Sequence, residues 1–312
     1  MSSHKWNEQE IIYLKNHYYT KPVKEIAETL NLKYQQVVSK ASNLGMNKKN
    51  HTGETWTKEE DSFLKENFEY ASKAYLERAL PKRSWNGIYQ RGRLTLKLNR
   101  ETQDKYFINH NSFSIWNEHT AYIVGFLLAD GYIKYKSGER NENSLQVELA
   151  GYDVDILEKI KHYMQFEGPI RRSKRDTVVI SVSNTKIIED ILSIGYPPAD
   201  KTSDAVWIES VPDELVHHFV RGLFDGDGSI YGKDGKPCIQ FLGNKNLIEN
   251  IVKSVPSKKK TYHYRGESGS DIYVGQYSSK KDTKNIYDWM YKDATIFLQR
   301  KYDKFQEFLW PN

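Results

Sequence analysis

Two segments of the chain, residues 123–131 and 220–228, are near copies of each other, and both end in an Asp-Gly pair. Each is apolar with small residues four positions apart, which predicts two helices that pack backbone against backbone. Asp130 and Asp227 would then lie together at the ends of these helices. Two carboxylates at close range repel each other unless a cation lies between them. Oxygen ligands of this kind suit Mg²⁺, and a metal there can activate water for phosphodiester hydrolysis.

Small residues mark the faces on which the two helices would meet: Ala121, Gly125 and Ala129 in the first copy, and Gly222 and Gly226 in the second. Without long side chains at these positions, the two backbones can approach closely. Gly131 and Gly228 follow the two aspartates, and we expect both to take the left-handed conformation that often ends a helix. Together with Asp130 and Asp227 they form the predicted metal site for Mg²⁺ or another divalent cation.

The residues that follow each motif helix repeat one order of elements. Both halves read as a helix, two strands, a helix, two strands and a helix, written αββαββα. Residues 179–183 (Val-Ile-Ser-Val-Ser) correspond to residues 273–277 (Tyr-Val-Gly-Gln-Tyr), which supports this alignment. The sequence therefore predicts an α+β fold of two pseudo-symmetric repeats that face each other through the motif helices.

A second repeat opens the chain, where Trp6 and the acids behind it recur at Trp56, 50 residues later. Asn7 and Thr57 are good N-caps for the helices that follow them. Each copy predicts three short helices, which resemble Myb/SANT-like helix-turn-helix modules that bind DNA, with a protein partner as the alternative. The third helix would present these side chains to the major groove: Gln35, Gln36, Ser39, Lys40 and Asn43 in the first copy, and Asn86, Gln90, Arg91 and Arg93 in the second.

The charge of the chain is uneven. The 312 residues carry a net charge of +5, but residues 1–100 alone hold 18 Lys and Arg against 11 Asp and Glu. This basic region favours nucleic acid as the partner, with a solvated basic surface as the alternative. No apolar run is long enough to span a membrane, and Cys238 is the single cysteine. We therefore expect an intracellular, cytoplasmic protein, with the nucleoid or an organelle matrix as alternatives, and not a secreted one.

Over residues 116–310 the two motifs, and the strands behind them, resemble the LAGLIDADG homing endonucleases in their single-chain, two-motif form. The resemblance extends to Leu298-Gln299-Arg300-Lys301 and to Lys201-Thr202. It implies a saddle-shaped monomer, encoded by a mobile intron or intein or standing free, that cuts both strands of a long site in double-stranded DNA. It also implies that Lys201 in the first half and Lys301, or Arg300, in the second stabilise charge at the scissile phosphate.

The predicted organisation is two helix-turn-helix modules (residues 1–50 and 51–98), a linker (99–115) and two LAGLIDADG-like repeats (116–200 and 201–312). Polar side chains alternate along the strands of the repeats, as expected of a sheet face that lies against DNA, although each one singly fits a solvated face equally well. The candidates in the first repeat are Tyr132, Lys134, Lys136, Gln146, Arg171, Arg172, Lys174 and Arg175. Those in the second repeat are Ser229, Tyr231, Lys233, Gln240, His263, Arg265 and Gln276.

Two other functions stay open from the residues alone. A DNA-binding transcriptional regulator that does not cut could use the same scaffold, although the presence of both Asp130 and Asp227 argues against it. An intron maturase that binds RNA is the second alternative. Asp225 is one more acid in the second motif, but its counterpart in the first is Leu128, so we expect a role at the helix end or in support of the metal ligands, and not direct metal binding.

Overall fold

The computed structural model describes residues 4–19, 21–46, 55–100, 106–135, 143–197, 206–233, 236–257, 262–265 and 271–311. The chain divides into two compact units: Met1–Glu69 with Leu76–Arg100, and Tyr70–Tyr75 with Glu101–Asn312. No helix within the described ranges is long and apolar enough to cross a membrane.

The described part of residues 1–100 contains six helices: α1 (Glu8–His17), α2 (Val23–Thr29), α3 (Tyr34–Asn43), α4 (Lys58–Asn67), α5 (Lys73–Ala79) and α6 (Trp85–Gln90). Helix α6 continues as a π-helical turn, Arg91–Thr95. The N-caps predicted at Asn7 and Thr57 are both present. The Asn7 side chain accepts the backbone N–H of Glu10, and the Thr57 side chain accepts that of Glu60. Each glutamate in turn accepts the backbone N–H of its cap residue, so the local sequence alone specifies where α1 and α4 begin.

The remaining elements form two similar halves. The first holds α7 (Glu118–Asp130), β1 (Gly131–Lys134), β2 (Ser144–Ala150), α8 (Val154–Tyr163), β3 (Arg171–Arg172), β4 (Thr177–Val182) and α9 (Thr185–Ser193). The second holds α10 (Val216–Asp227), β5 (Ser229–Lys233), β6 (Lys236–Gly243), α11 (Lys245–Ser254), β7 (Tyr262–Arg265), β8 (Asp271–Tyr277) and α12 (Lys280–Met290). A further helix, α13 (Gln299–Leu309), follows the predicted elements. The prediction of helices with antiparallel sheets is therefore confirmed.

Each half contains one four-stranded antiparallel sheet, in the order β1-β2-β4-β3 or β5-β6-β8-β7. Along β2 every second side chain is buried, which is the pattern of a sheet with one face on a core. The buried faces and the apolar sides of the helices share a single hydrophobic core that includes Ile123, Phe126, Phe219 and Phe224 from the two motif helices. The middle turns of the motif helices therefore lie inside the core, and their ends, including the C-terminal ends with Asp130 and Asp227, reach solvent.

The strand register corrects the alignment of the two halves. Gln146 lies opposite Ser181 in the first sheet, and Gln240 lies opposite Gln276 in the second. Ser181 therefore corresponds to Gln276. The predicted alignment paired Ser181 with Gly275, which is one residue earlier. A shift of one residue exchanges the two faces of a strand. The structure shows this difference directly, because Gly275 is buried whereas Gln276 is partly exposed.

The expected left-handed glycines are a second correction. Gly131 has φ −91° and ψ 156°, and Gly228 has φ −69° and ψ 160°, so both are extended and lead directly into a strand. Glycine is required here for space. A Cβ on Gly131 would lie 2.6 Å from the carbonyl oxygen of Leu127, and one on Gly228 would lie 2.3 Å from the ring of Phe224.

His110 makes the fold sensitive to acid. The side chain is 1% exposed, and burial lowers its pKa to about 4. Between a pH of about 6.5 and 4 the unfolded chain therefore binds a proton that the folded chain excludes, so stability falls as the pH falls. We expect His110→Phe to reduce the loss of unfolding free energy between pH 7 and pH 5 by about 2 kcal/mol, measured by urea denaturation. His162→Phe, at an exposed histidine, is the control; parallel pH profiles for wild type and His110→Phe would contradict the prediction.

Candidate active site

Helices α7 and α10 touch through their backbones. A Cβ on Gly222 would lie 2.0 Å from the carbonyl oxygen of Tyr122, and a Cβ on Gly125 would lie 2.1 Å from that of Phe219. Real Cβ atoms do not come this close to a backbone oxygen, so glycine is the only residue that fits at either position. The close approach predicted from the spacing of small residues is therefore confirmed at its two central positions.

The same approach brings the C-terminal ends of the helices together. A Cβ on Gly226 would lie 2.2 Å from Ala129 Cβ and 3.1 Å from Asp130 Oδ2. The Asp130 carboxylate thus lies beside the residue that precedes Asp227. Asp130 is partly buried and Asp227 is exposed. The two acids meet at one end of the helix pair, where the core opens to solvent.

Desolvation by the surrounding protein acts on both carboxyl groups, and the charge of Asp227 also acts on Asp130. Burial, together with the charge of Asp227, raises the pKa of Asp130 to about 6, although Lys301 opposes both effects. Although Asp227 is the more exposed residue, the surrounding protein partly desolvates its carboxyl group and raises its pKa, and the charge of Lys301 opposes this effect. Within the described ranges, no group of three or more His, Cys, Asp or Glu side chains could hold a metal. Two carboxylates with open positions nevertheless fit Mg²⁺, which binds through one or two carboxylates and keeps several waters.

Lys301 is bound to the last turn of α10. Its Nζ is buried and donates to the carbonyl oxygens of Phe224 (2.6 Å), Gly226 (2.9 Å) and Gly228 (2.6 Å). A lysine here gives carbonyls at the end of the helix a charged donor and opposes the negative end of the helix dipole. Burial lowers the pKa of Lys301 to about 8, while the Asp225 carboxylate raises it. The predicted role of Lys301 at a scissile phosphate stays a prediction, and the Gly228 carbonyl of the predicted metal site accepts one of its hydrogen bonds.

The other residues predicted to stabilise charge at the scissile phosphate are Lys201 and Arg300. Lys201 lies outside the described residues. Arg300 donates to both carboxylate oxygens of Asp153, over 2.7 and 3.0 Å, in a bidentate pair. Asp153 belongs to the first repeat and is buried. Arg300 therefore joins the two repeats in this structure.

Asp225 is at a different place from Asp227, although the two are separated by one residue. Its carboxylate is buried, and Oδ2 accepts from Tyr122 Oη (2.8 Å) and from the backbone N–H of Leu298 (2.7 Å). Tyr122 lies on α7, and Leu298 is the N-cap residue of α13. Burial raises the pKa of Asp225 to about 6. Through these contacts Asp225, near the end of α10, connects α10 to α7 and to the start of α13.

Sequence reasoning missed Arg221, whose side chain is fully buried inside α10. Its guanidinium donates to the carbonyl oxygens of Met290 (2.6 Å) and Ile296 (3.1 Å) and lies 3.2 Å from Glu118 Oε1. Glu118 also accepts the backbone N–H of Thr295 over 2.6 Å. An arginine within an otherwise apolar helix was the available signal, because a buried charge needs partners.

Loss of Arg221 should destabilise the protein strongly. Arg221→Met removes the guanidinium from two buried carbonyls and takes away the charge partner of Glu118, and breaking a buried ion pair in this way costs about 3–5 kcal/mol. Urea denaturation would measure the loss. The control is Lys284→Met, whose pair with Asp288 is half exposed and worth at most about 1 kcal/mol. Equal stability losses in the two variants would contradict the prediction.

The predicted DNA-facing residues of the sheets lie on solvent-accessible faces wherever the structure describes their side chains. Tyr132, Lys134, Gln146 and Tyr231 are exposed, and Ser229, Gln240 and Gln276 are partly exposed. Four exposed basic residues surround the β3–β4 turn: Arg171, Arg172, Lys174 and Arg175. Lys136 lies outside the described residues, and for Lys233, His263 and Arg265 only the backbone is described.

Some polar side chains of the predicted reading helices in the first unit face solvent, and others contact neighbours within that unit. Gln35, Ser39, Asn43, Asn86, Gln90 and Arg93 are exposed. Gln36 accepts the backbone N–H of Lys33, and Lys40 Nζ lies 5.8 Å from the centre of the Trp6 ring. Arg91 donates to both oxygens of Asp61, over 2.8 and 2.6 Å, and lies 5.7 Å from the Trp56 ring. Arg91 is therefore part of the packing of its own module.

Comparison with known proteins gives a limited match. No protein-family model matches the chain, and no curated protein matches it. Among solved structures, the chain is similar to the LAGLIDADG meganuclease I-AabMI bound to uncleaved DNA and to the LAGLIDADG homing endonuclease I-GzeII in complex with its DNA target. Each is 15% identical over 62% of this chain and 89% of the other, with a TM-score of 0.44. The DNA-bound LAGLIDADG homing endonuclease I-LtrWI is 14% identical over the same shares, with a TM-score of 0.42.

Proposed function

We propose that this protein is a site-specific endonuclease that hydrolyses both strands of double-stranded DNA with Mg²⁺ or another divalent cation. The observation that carries the proposal is the meeting of Asp130 and Asp227 at the ends of two helices in backbone contact. Two acids in two similar halves suit a substrate with two antiparallel strands, one for each half. We propose that the protein acts as a monomer, because one chain supplies both acids.

The residues of the chain would divide the work as follows. Asp130 and Asp227 would hold the divalent cation, which supplies an activated water and neutralises the leaving oxygen. Gly125 and Gly222 keep the two carboxylates close by allowing the backbones to touch. Lys301 fixes the turn that carries Asp227. The polar faces of the two sheets would bind the DNA grooves, and the N-terminal helices would add a second set of contacts and so increase affinity.

A cleavage selection tests this proposal. Full-length protein is incubated with a library of randomised duplexes, with Mg²⁺ and in parallel with a chelator, and the cut ends are sequenced. We expect one long site to be enriched, with a cut in each strand, only when the divalent cation is present. Binding of one site without any cut would support the regulator instead, and binding of intron RNA without duplex binding would support the maturase.

The basic residues at the β3–β4 turn should bind phosphates. Each phosphate that a basic side chain neutralises releases counterions, so removing one such side chain lowers the slope of log affinity against log salt by about 0.9. We expect the triple variant Arg171→Gln, Lys174→Gln, Arg175→Gln to reduce that slope by about 3, measured by fluorescence anisotropy on the selected duplex. Lys284→Gln and Lys304→Gln, at lysines paired within their own helices, are the controls. An unchanged slope in the triple variant would show that the turn does not touch DNA.

A further inference from the structure

A chain of polar side chains crosses the solvent face of the second sheet. Gln240 on β6 lies opposite Gln276 on β8, and Gln240 Nε2 donates to Gln276 Oε1 over 2.9 Å. Gln276 Nε2 donates in turn to Ser278 Oγ over 3.2 Å, and Ser278 Oγ lies 3.6 Å from Cys238 Sγ. In this arrangement Gln240 donates to Gln276 and Gln276 donates to Ser278, so each amide is held at one end by a neighbour.

The donors and acceptors left on Gln240 define what it can bind. Its Nε2 keeps a second N–H, and within the described residues its Oε1 has no partner. One donor beside one acceptor matches the N7 and N6 edge of adenine in the major groove. The reverse orientation of the amide would present two N–H donors, which suit the N7 and O6 acceptors of guanine. The direction of the hydrogen-bonded chain thus favours adenine over guanine.

The position of Gln240 places it near the two acids. It lies opposite Ser229, two residues after Asp227. The first repeat has the same residue type at the same place, since Gln146 lies opposite Tyr132, two residues after Asp130. Gln146 faces Ser181 across the next strand pair and is exposed, and no hydrogen bond of its amide is found within the described residues. Gln146 therefore provides a matched comparison for Gln240. The two residues occupy equivalent positions, but of the two amides only that of Gln240 has a hydrogen bond within the described residues.

We propose that Gln240 determines specificity by reading one adenine close to the cleavage point, and that Gln276 and Ser278 are positioning residues for its amide. The proposal rests on the proposed DNA endonuclease function and adds one base to its site. An amide already held in its binding orientation loses less side-chain freedom when it binds, so its base preference should exceed that of an unsupported glutamine.

Base preference measured with full-length protein tests the proposal. Duplexes bound from a randomised library are sequenced for wild type, Gln240→Leu, Gln276→Leu, Ser278→Ala and Gln146→Leu. We expect wild type to prefer adenine about 10-fold or more at one position near the cut, as a bidentate contact allows. Gln240→Leu should abolish that preference alone, Gln276→Leu and Ser278→Ala should reduce it, and Gln146→Leu should leave it unchanged.

Two results would overturn this inference while the proposed function stands: a preference for guanine at the position that Gln240→Leu affects, or identical preferences at all positions in wild type and Gln240→Leu. In both cases the wild-type protein still selects and cuts a defined duplex. If wild type selects no duplex at all, the proposed function and the inference both fail. Because Gln276 is partly exposed and Ser278 is exposed, Gln276→Leu and Ser278→Ala keep the core intact, and their unfolding curves should match that of wild type.

Discussion

Replacing either Asp130 or Asp227 with asparagine is expected to abolish double-strand cleavage while DNA binding is nearly retained. Asparagine keeps the shape of the side chain but removes the negative charge that attracts a divalent cation. Loss of an outer partner of a metal ligand costs about 10–100-fold, so loss of a ligand itself should cost more than about 100-fold. Cleavage is measured on a plasmid that carries the selected site, and binding is measured by fluorescence anisotropy on the same duplex.

The matched control for this pair is Asp288→Asn, which removes an exposed acid that pairs with Lys284 on α12. It should cut at the wild-type rate. Full cleavage by Asp130→Asn or Asp227→Asn would refute the two-carboxylate site. A nicked product in one variant and an uncut product in the other would instead show that one carboxylate serves both strands.

The second large effect is expected at the crossing of the motif helices. In Gly222→Ala the new Cβ would lie 2.0 Å from the Tyr122 carbonyl oxygen and 2.7 Å from the Phe126 backbone nitrogen. Both are backbone atoms, so the clash can be relieved only if α7 and α10 move apart. Overpacking a core costs about 1–3 kcal/mol and occasionally more. We expect Gly222→Ala to cost about 3 kcal/mol or more in the free energy of unfolding, measured by urea denaturation.

Gly226 provides a rescue experiment at the same interface. The Cβ of Gly226→Ala would lie 2.2 Å from Ala129 Cβ, which is a side-chain atom that a second substitution can remove. The double variant Gly226→Ala, Ala129→Gly should therefore recover most of the stability that Gly226→Ala loses. The changes in intrinsic helix propensity cancel in the double variant, because one helix gains an alanine and the other loses one. Additive losses in the double variant would contradict the close packing of these two positions.

How far the sequence predicts the site depends on how local each interaction is. The capping residues Asn7 and Thr57, and the small residues Gly125 and Gly222, act on atoms within their own turn or on a partner helix with the same motif. Their residue types alone indicate the geometry. The pleat also determines which residues of β2 are buried, because its side chains alternate strictly. The strand register does not follow in this way, and the predicted pairing of residue 181 with Gly275 was wrong by one residue.

The extended glycines show the same limit. An Asp-Gly at a helix end is compatible with a left-handed cap and also with a direct turn into a strand, and the sequence does not distinguish them. In this protein Leu127 and Phe224 occupy the space that a Cβ on Gly131 or Gly228 would need. The choice therefore depends on how the helix packs against its own strand.

By itself, the sequence determined that this protein has two matched helices, each ending in a carboxylate and each followed by a similar set of strands. These features depend on residues that are close to each other in the sequence. Only the tertiary structure decided which groups hold the ends of those helices. Arg221, Asp225 and Lys301 bind backbone groups at Met290, Leu298 and Gly226, which are about 70 positions away along the chain. The physical reason is that a buried charge is stable only where the fold brings hydrogen-bonding or charged partners to it, and no local pattern of residues specifies where that occurs.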